Sequence, residues 1–226
     1  MLSLGLLGKN IQKSRSKEMY EKLLAREINY HLFDFKNSED IPSLDTIFLT
    51  VSGFSITAPY KDYFLNDLEV ESNIAEIRAV NCIKKVCNEY FGTNTDYLAC
   101  LEILDSFFDK DIKFFILGDG AMSRVLQYIL SSKGEDYIVR SRRLKNLDEN
   151  KYCFDDIQKK YMIINTCHKD YNFTGSVDEN LIKFWDLNYN VDPDKHLSVS
   201  TSIKYIDGIE LLFLQAKYAL EFWGIK

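Results

Sequence analysis

The chain has 226 residues, room for one large domain or two small ones, and its 46% hydrophobic content is ordinary for a folded globular protein. A net charge of −6 argues against a general nucleic-acid or anionic-membrane surface, although a local cluster of donors can still hold an anionic small molecule. No apolar run approaches the roughly 20 residues that span a bilayer, so neither nucleic acid nor membrane is an expected partner.

The first eight residues, from Met1 to Gly8, are too short for a signal-peptide core and lack a basic lead-in; they read as a first buried strand of a cytoplasmic protein. Ser16 to Glu27 has helical spacing through Met19, Leu23 and Leu24, and Tyr30 to Phe35 alternates as a strand. The apolar, β-branched run from Ile47 to Val51 predicts a further strand. Pro59 suits the first turn of a short helix, where its missing N–H is of no consequence. Asn73 to Ala79 supplies a helical turn or two. Val80 to Val86 and Tyr90 to Gly92 then read as a hairpin around Cys87-Asn88-Glu89. This half is α/β with a mixed sheet.

Tyr97 to Phe108 is helical in pattern, with Leu98, Leu101, Ile103, Leu104 and Phe107 apolar. Ile112 to Leu117 is a buried strand, followed by Gly118-Asp119-Gly120 and a helix from Ala121 to Ser132. Strands follow at Asp136 to Val139, Tyr161 to Asn165 and Phe184 to Leu187, and a final helix runs from Gly208 to Trp223. Strand, glycine turn, helix and strand is the opening of a Rossmann-like unit.

Five cysteines (Cys82, Cys87, Cys100, Cys153, Cys167) form no Cys-x-x-Cys pair and read as reduced, mostly buried thiols. His31, His168 and His196 fit no metal or nucleophile motif, so no metal site is expected. The loop from Gly118 through Asp119, Gly120, Ala121 and Met122 to Ser123 lies where helix-start N–H groups can hold a pyrophosphate, or else is a tight strand–helix turn without a ligand. Arg140-Ser141-Arg142-Arg143 closes the next strand about 20 residues later. A fold that uses NAD places a carboxylate there, whereas Ser141, Arg142 and Arg143 offer donors to a 2′-phosphate with no carboxylate to repel it. The alternative is a solvated basic strand end.

Ser14 and Ser16 flank Arg15 ahead of the first helix; either can cap it, or both can offer hydroxyls to a carboxylate. Lys61 lies one helical turn past Thr57. A helix start disfavours its positive charge and a nearby carboxylate favours it, so a lysine held between the two can exchange a proton with a hydroxyl. It can equally be a surface lysine, and Asp96 can simply cap a helix that begins at Tyr97.

In order, these segments resemble shikimate dehydrogenase over nearly the whole chain. Ser14 and Ser16 match the family's Ser-x-Ser, and Ser55-Ile56-Thr57-Ala58-Pro59-Tyr60-Lys61 matches its Asn-Val-Thr-x-Pro-x-Lys. Ala79-Val80-Asn81, Gly92-Thr93-Asn94-Thr95-Asp96 and the Gly118 loop follow in turn, as does Ser141-Arg142-Arg143 for its Asn-Arg-Thr. Asp186-Leu187-Asn188-Tyr189 and Asp207-Gly208 through Gln215 complete the set. Ser55 departs from an Asn, Glu210 from a Gly, and Ala121 and Met122 make a bulkier loop. The chain is also short for the family, with less sequence before Ile47 and from Asn190 to Ser202.

The resemblance implies a two-domain α/β fold. Residues 1–96 would form an α/β substrate domain, and 97–206 a Rossmann-like NADP-binding domain with 97–109 as connecting helix. Residues 207–226 would be a C-terminal helix packing back across the cleft. It implies reversible reduction of 3-dehydroshikimate by NADPH, by a monomer or homodimer whose only other partner is that small-molecule substrate. Lys61 and Asp96 would be the catalytic pair, with Ser14, Ser16, Thr57, Asn81, Tyr189 and Gln215 on the substrate. Gly118, Asp119, Gly120, Ala121, Met122, Ser141, Arg142, Arg143, Leu187 and Gly208 would bind NADP(H). A quinate/shikimate-type dehydrogenase and a catalytically silent ligand sensor are the alternatives.

Overall fold

Five parallel and antiparallel strands in the first half bring four separate loops to one edge of a sheet. This arrangement is described by a computed structural model covering residues 1–108, 110–147, 159–175, 177–189 and 205–226. The chain divides into two units, Met1–Ala99 with Leu212–Lys226, and Cys100–Leu211.

In the first unit the strands are β1 (Ser3–Gly8), β2 (Asn29–Asp34), β3 (Gly53–Ile56), β4 (Cys82–Val86) and β5 (Glu89–Thr93), in the order β2-β1-β3-β4-β5. β1 pairs in parallel with β2 and β3, and the β3–β4 and β4–β5 pairs are antiparallel, so the sheet is mixed. Its core strands are buried through Leu4, Leu7, Phe54 and Ile83. The directions have a consequence for function. The carboxyl ends of β1, β2, β3 and β5 and the start of β4 all lie along one edge.

Three expectations need correction. Helix α1 (Ser16–Leu24) stops short of Glu27 because Ala25 turns left-handed, at φ 49°, and lets Ile28 drop into the core ahead of β2. The run from Ile47 to Val51 is not a strand; Leu44–Phe48 forms a short helix, α2. The Ser43 hydroxyl accepts the Thr46 N–H, and Leu44 and Ile47, three apart, turn inward while Leu49 is left 87% exposed. The strand lies further on, at β3. Nor does Pro59 open a helix. After the cis Ala58–Pro59 peptide the chain runs through successive turns, and the Lys61 carbonyl accepts the Val80 N–H at 2.6 Å instead of serving a helical ladder. Helices α3 (Ser72–Ile77) and α4 (Thr95–Asp105) follow.

The second unit holds β6 (Ile112–Leu117), β7 (Tyr137–Arg140), β8 (Lys160–Asn165), β9 (Leu181–Asp186) and β10 (Tyr205–Ile206), all parallel, in the order β10-β9-β8-β6-β7. Helix α5 (Ala121–Ser132) connects β6 to β7, the Rossmann-like opening, and the strand order reverses between β6 and β8. Phe115, Leu117, Tyr161, Ile163 and Phe184 form a core cluster, as expected of strands covered on both faces. The two-residue strand β10 was not foreseen. Helix α6 (Ile209–Trp223) begins in this unit, and residues from Leu212 onward belong to the first. The shortened stretch from Asn190 to Ser202, with His196, and Cys153 lie outside the described residues.

Among the described residues no helix is long and apolar enough to cross a membrane. Cys82 and Cys100 are buried, Cys167 half-buried and Cys87 exposed, each as a free thiol.

Candidate active site

Each substrate motif read from the first half emerges at the loop-bearing edge of the first sheet: Ser14 and Ser16 after β1, Thr57 and Lys61 after β3, Asn81 before β4, and Asp96 after β5. Loops at the carboxyl ends of parallel strands are where α/β folds bind ligands. Lys61 and Asp96, thirty-five residues apart in sequence, meet there. Lys61 Nζ donates to Asp96 Oδ2 at 2.6 Å, with the two residues 9% and 4% exposed. A buried ion pair this close keeps an ammonium donor and a carboxylate acceptor side by side, the equipment for moving a proton to or from an oxygen.

Asp96 is not the helix cap. Asn94 is: its Oδ1 accepts the Tyr97 N–H at 3.0 Å and its Nδ2 donates to the Ala79 carbonyl at 2.8 Å. With Asn94 satisfying the first turn of α4, the Asp96 carboxylate remains available to Lys61. Beside it, Asn81 Oδ1 accepts the Thr95 N–H at 2.6 Å and Asn81 Nδ2 donates to Thr95 Oγ1 at 3.0 Å. Asn94 and Thr95 were missed as supporting residues, although an Asn immediately before an apolar helical run is an N-cap signal.

Neither serine is the N-cap residue of α1; that residue is Arg15, whose side chain makes no cap, and Ser14 Oγ accepts the N–H of Ser16 at 3.3 Å. Ser14 Oγ also donates to Ser16 Oγ at 3.1 Å, so the two half-buried hydroxyls sit together. Thr57, also half-buried, packs over Gly8, where an added Cβ would lie 2.5 Å from its methyl group and 2.6 Å from that of Ile11. Gln215 is half-buried on α6 in this unit, and Tyr189 is half-buried beyond β9 in the other.

In the second unit, Gly118 has φ +104° and would press a Cβ to 2.5 Å from Thr166 Oγ1, so both its conformation and its packing require glycine. Gly120 differs. It is the N-cap of α5, no side chain caps that helix, and a Cβ there would meet nothing within 4 Å. A positive helix end facing open space suits a pyrophosphate, and Ala121 and Met122 follow it half-buried. Ser141 is buried and accepts the Leu144 N–H at 3.1 Å, closing the turn that presents the exposed Arg142 and Arg143.

One expectation fails here: a carboxylate does reach the arginines. Asp119 Oδ2 pairs with Arg143 Nε at 2.9 Å, because β6 and β7 are neighbours and their ends stand side by side. That pairing offsets the negative charge within the glycine loop. Across the sheet the Leu187 N–H donates to the Asn165 carbonyl, and Gly208 donates to Asn188 O at 2.8 Å. Any Cβ on Gly208 would collide with the Leu187 carbonyl, so these two residues are locked together. Asp186, fully buried, accepts from the Asn188 backbone and side chain and from Tyr205, whose phenol is raised by burial first and by Asp186 second.

The profile of the shikimate dehydrogenase substrate binding domain matches residues 6–83, which hold the Ser14, Thr57, Lys61 and Asn81 loops. Over 98% of this chain and 92% of the relative, the sequence is 30% identical to the "Shikimate dehydrogenase (NADP(+))" of Clostridium perfringens strain SM101. The chain belongs to the shikimate dehydrogenase family. Solved family structures cover it almost end to end. The Peptoclostridium difficile enzyme superposes with a TM-score of 0.73 at 25% identity, over 99% of this chain and 92% of that one. For the fold alone, Aquifex aeolicus shikimate dehydrogenase gives 0.76 at 22% identity with the same coverage. The Thermus thermophilus protein, solved in complex with NADP(H) and shikimate, gives 0.72 at 22% identity, over 99% and 93%.

Proposed function

We propose that this protein is an NADP-dependent shikimate dehydrogenase, catalysing reversible reduction of 3-dehydroshikimate to shikimate in the cytoplasm. The observation that carries the reading is the buried Lys61–Asp96 pair at the loop-bearing edge of the first sheet. Family membership and the NADP-dependent relatives support it. A pure ligand sensor has no need of a buried proton-handling pair. We assign substrate binding to residues 1–96, cofactor binding to 97–206, and to 207–226 the return of the chain to the substrate domain.

NADPH, when bound, supplies the hydride that converts the substrate carbonyl to an alcohol. The remaining work falls to the protein. Lys61 donates a proton to the carbonyl oxygen as charge develops on it, while the Asp96 carboxylate holds the ammonium in place, and the lysine regains its proton from water after the product alcohol forms. In the oxidation direction the same pair removes the proton from the ring hydroxyl. Ser14 and Ser16 hold the substrate carboxylate with their adjacent hydroxyls, and Thr57, Asn81, Tyr189 and Gln215 hold the carboxylate or the remaining ring hydroxyls. Fixed donors of this kind convert binding into orientation. The loop and the start of α5, from Gly118 to Met122, take the pyrophosphate. Ser141 shapes the turn that carries Arg142 and Arg143 to the 2′-phosphate, and Leu187 and Gly208 complete the cofactor side.

The direct test follows nicotinamide absorbance with shikimate and NADP as substrates. Turnover is expected with this pair, and weaker turnover with NAD. No absorbance change at high enzyme concentration, with shikimate still bound, would replace this reading with the sensor.

A further inference from the structure

Along the loop-bearing edge of the first sheet, the carboxyl end of β2 is the one strand end that carries no residue assigned to substrate or catalysis. It holds two of the loops that do. Phe35, just past β2, gives its N–H to the Gly8 carbonyl at 3.0 Å, and its own carbonyl accepts the hydroxyl of Tyr60, the neighbour of Lys61, at 3.0 Å. Asp34, the last residue of β2, reaches across to the loop between β1 and α1. Its Oδ1 accepts the Asn10 N–H at 2.8 Å, while its Oδ2 accepts the Ile11 N–H and the Gln12 side-chain amide, each at 3.2 Å.

That loop, from Lys9 to Arg15, is polar and buries only Ile11, whose methyl would lie 2.6 Å from a Cβ added at Gly8. Asn10 sits in the left-handed region at φ 57°, which Asn tolerates, and a turn of this kind points successive N–H groups at a single anion. The Asp34 carboxylate is that anion. From there the bonds run on to the serines. The Ile11 carbonyl accepts the Ser14 N–H at 2.9 Å, and Ser14 Oγ both accepts the Ser16 N–H and donates to Ser16 Oγ. Two hydroxyls that meet one carboxylate must be held at a fixed spacing, which a polar surface loop does not secure by burial. Charge-assisted bonds to two consecutive backbone N–H groups do secure it.

We propose that Asp34 is the positioning residue of the substrate-carboxylate subsite. Both of its oxygens are engaged by the loop, so it acts on the substrate through Ser14 and Ser16. The inference rests on the proposed function, which puts those serines on the carboxylate. In Asp34→Asn one oxygen becomes an NH₂ facing a donor, so only part of the hold survives; in Asp34→Ala none does.

The test measures kcat and KM for shikimate and for its methyl ester, together with cofactor KM and thermal midpoint. The variants are Asp34→Asn, Asp34→Ala, the pair Ser14→Ala and Ser16→Ala, and all three alanine changes combined. Asp34→Ala is expected to raise KM for shikimate roughly 10-fold and Asp34→Asn about 3-fold, with kcat changed less and cofactor KM unchanged. KM for the ester, which offers the serines no carboxylate, should move far less, so the preference for the acid over the ester shrinks. With both serines already replaced, Asp34→Ala should add nothing to the shikimate KM. Equal losses for acid and ester, or losses that add to those of the serine changes, would reduce Asp34 to a stabilising residue and overturn the inference. A serine effect without an Asp34 effect overturns this inference alone. A wild type that neither turns over nor binds shikimate overturns the proposed function and this inference with it.

Discussion

The two units build their sites from different material. In the first, side chains hold one another: Lys61 to Asp96, Asn81 to Thr95, Asn94 to the start of α4, all buried. In the second, the features assigned to the cofactor are a bare helix start at Gly120 and the exposed arginines after β7, and Ser141 and Asp186 hold hydrogen bonds within the loops that follow their strands. The lesson is that chemistry and recognition place different demands on a fold. A proton-transfer pair has to be fixed to fractions of an ångström, and neighbours supply that rigidity. A pyrophosphate and a phosphate are met by backbone N–H groups and long cationic side chains, which need only a correctly shaped strand end.

Substitutions should separate the two units accordingly. The largest effect is expected at Lys61→Ala, which lowers kcat by roughly 10²–10⁴-fold while sparing cofactor affinity. It also leaves the Asp96 carboxylate buried without its partner, a loss of about 3–5 kcal/mol in stability. Combining it with Asp96→Asn removes the stranded charge, so the double variant should melt higher than Lys61→Ala and remain as inactive. Near-normal turnover in the single variant would take the pair out of the mechanism.

On the other side, Arg142→Ala should weaken NADP binding roughly 10- to 150-fold, as expected for the loss of hydrogen bonds to a charged group, with little change in thermal midpoint. NAD affinity should barely move. Equal losses for both cofactors, in parallel titrations, would assign the arginine to the adenine or to the fold.

A subtler outcome is expected at Gly120→Ala. The new methyl meets no protein atom, so stability should be unchanged, while NADP and NAD should both bind more weakly, and by a smaller factor than the Arg142 effect, because the space above α5 is being filled. Unaltered affinity would move the pyrophosphate away from this helix.

The smallest effect concerns the thiols. Cys87 should react quickly with a thiol reagent, and Cys82 only when the protein unfolds. Burial, reinforced by Asp96, raises the Cys82 thiol well above its usual range, so raising the pH from about 7 to 9 should not expose it to labelling. Labelling of Cys82 at pH 9 in folded protein, read by peptide mass, would show that the rigid unit opens.

Sequence pattern revealed most of the second unit, because its strands are covered on both faces and stand out as apolar runs between turn residues; β6 and α5 were read with their observed limits. It served less well where local chemistry competed with pattern. Ile47 to Val51 looked like a strand, and a serine cap with inward-facing Leu44 and Ile47 made the stretch before it a helix. Pro59 looked like a helix start, and a carbonyl engaged by Val80 left turns instead. The motif order drew Lys61 and Asp96 together from far apart in the chain. Single residues in sequence carried no sign of the Asp119–Arg143 pair, since it depends on which strands are neighbours.

The membership of α6 has a consequence for the order in which the protein is assembled. Residues 212–226 belong with the first unit, so the unit that leaves the ribosome first lacks its last helix until the second has been synthesised in full. Until then the backbone at Gly53 has no indole over it, and the Ile83 carbonyl has no Trp223 N–H to accept. The nascent substrate unit must therefore persist with an open apolar face beside its sheet, a condition that invites chaperone engagement during translation. Loss of this last helix, nearest the end of the chain, would thus be felt first at the sheet built from its beginning.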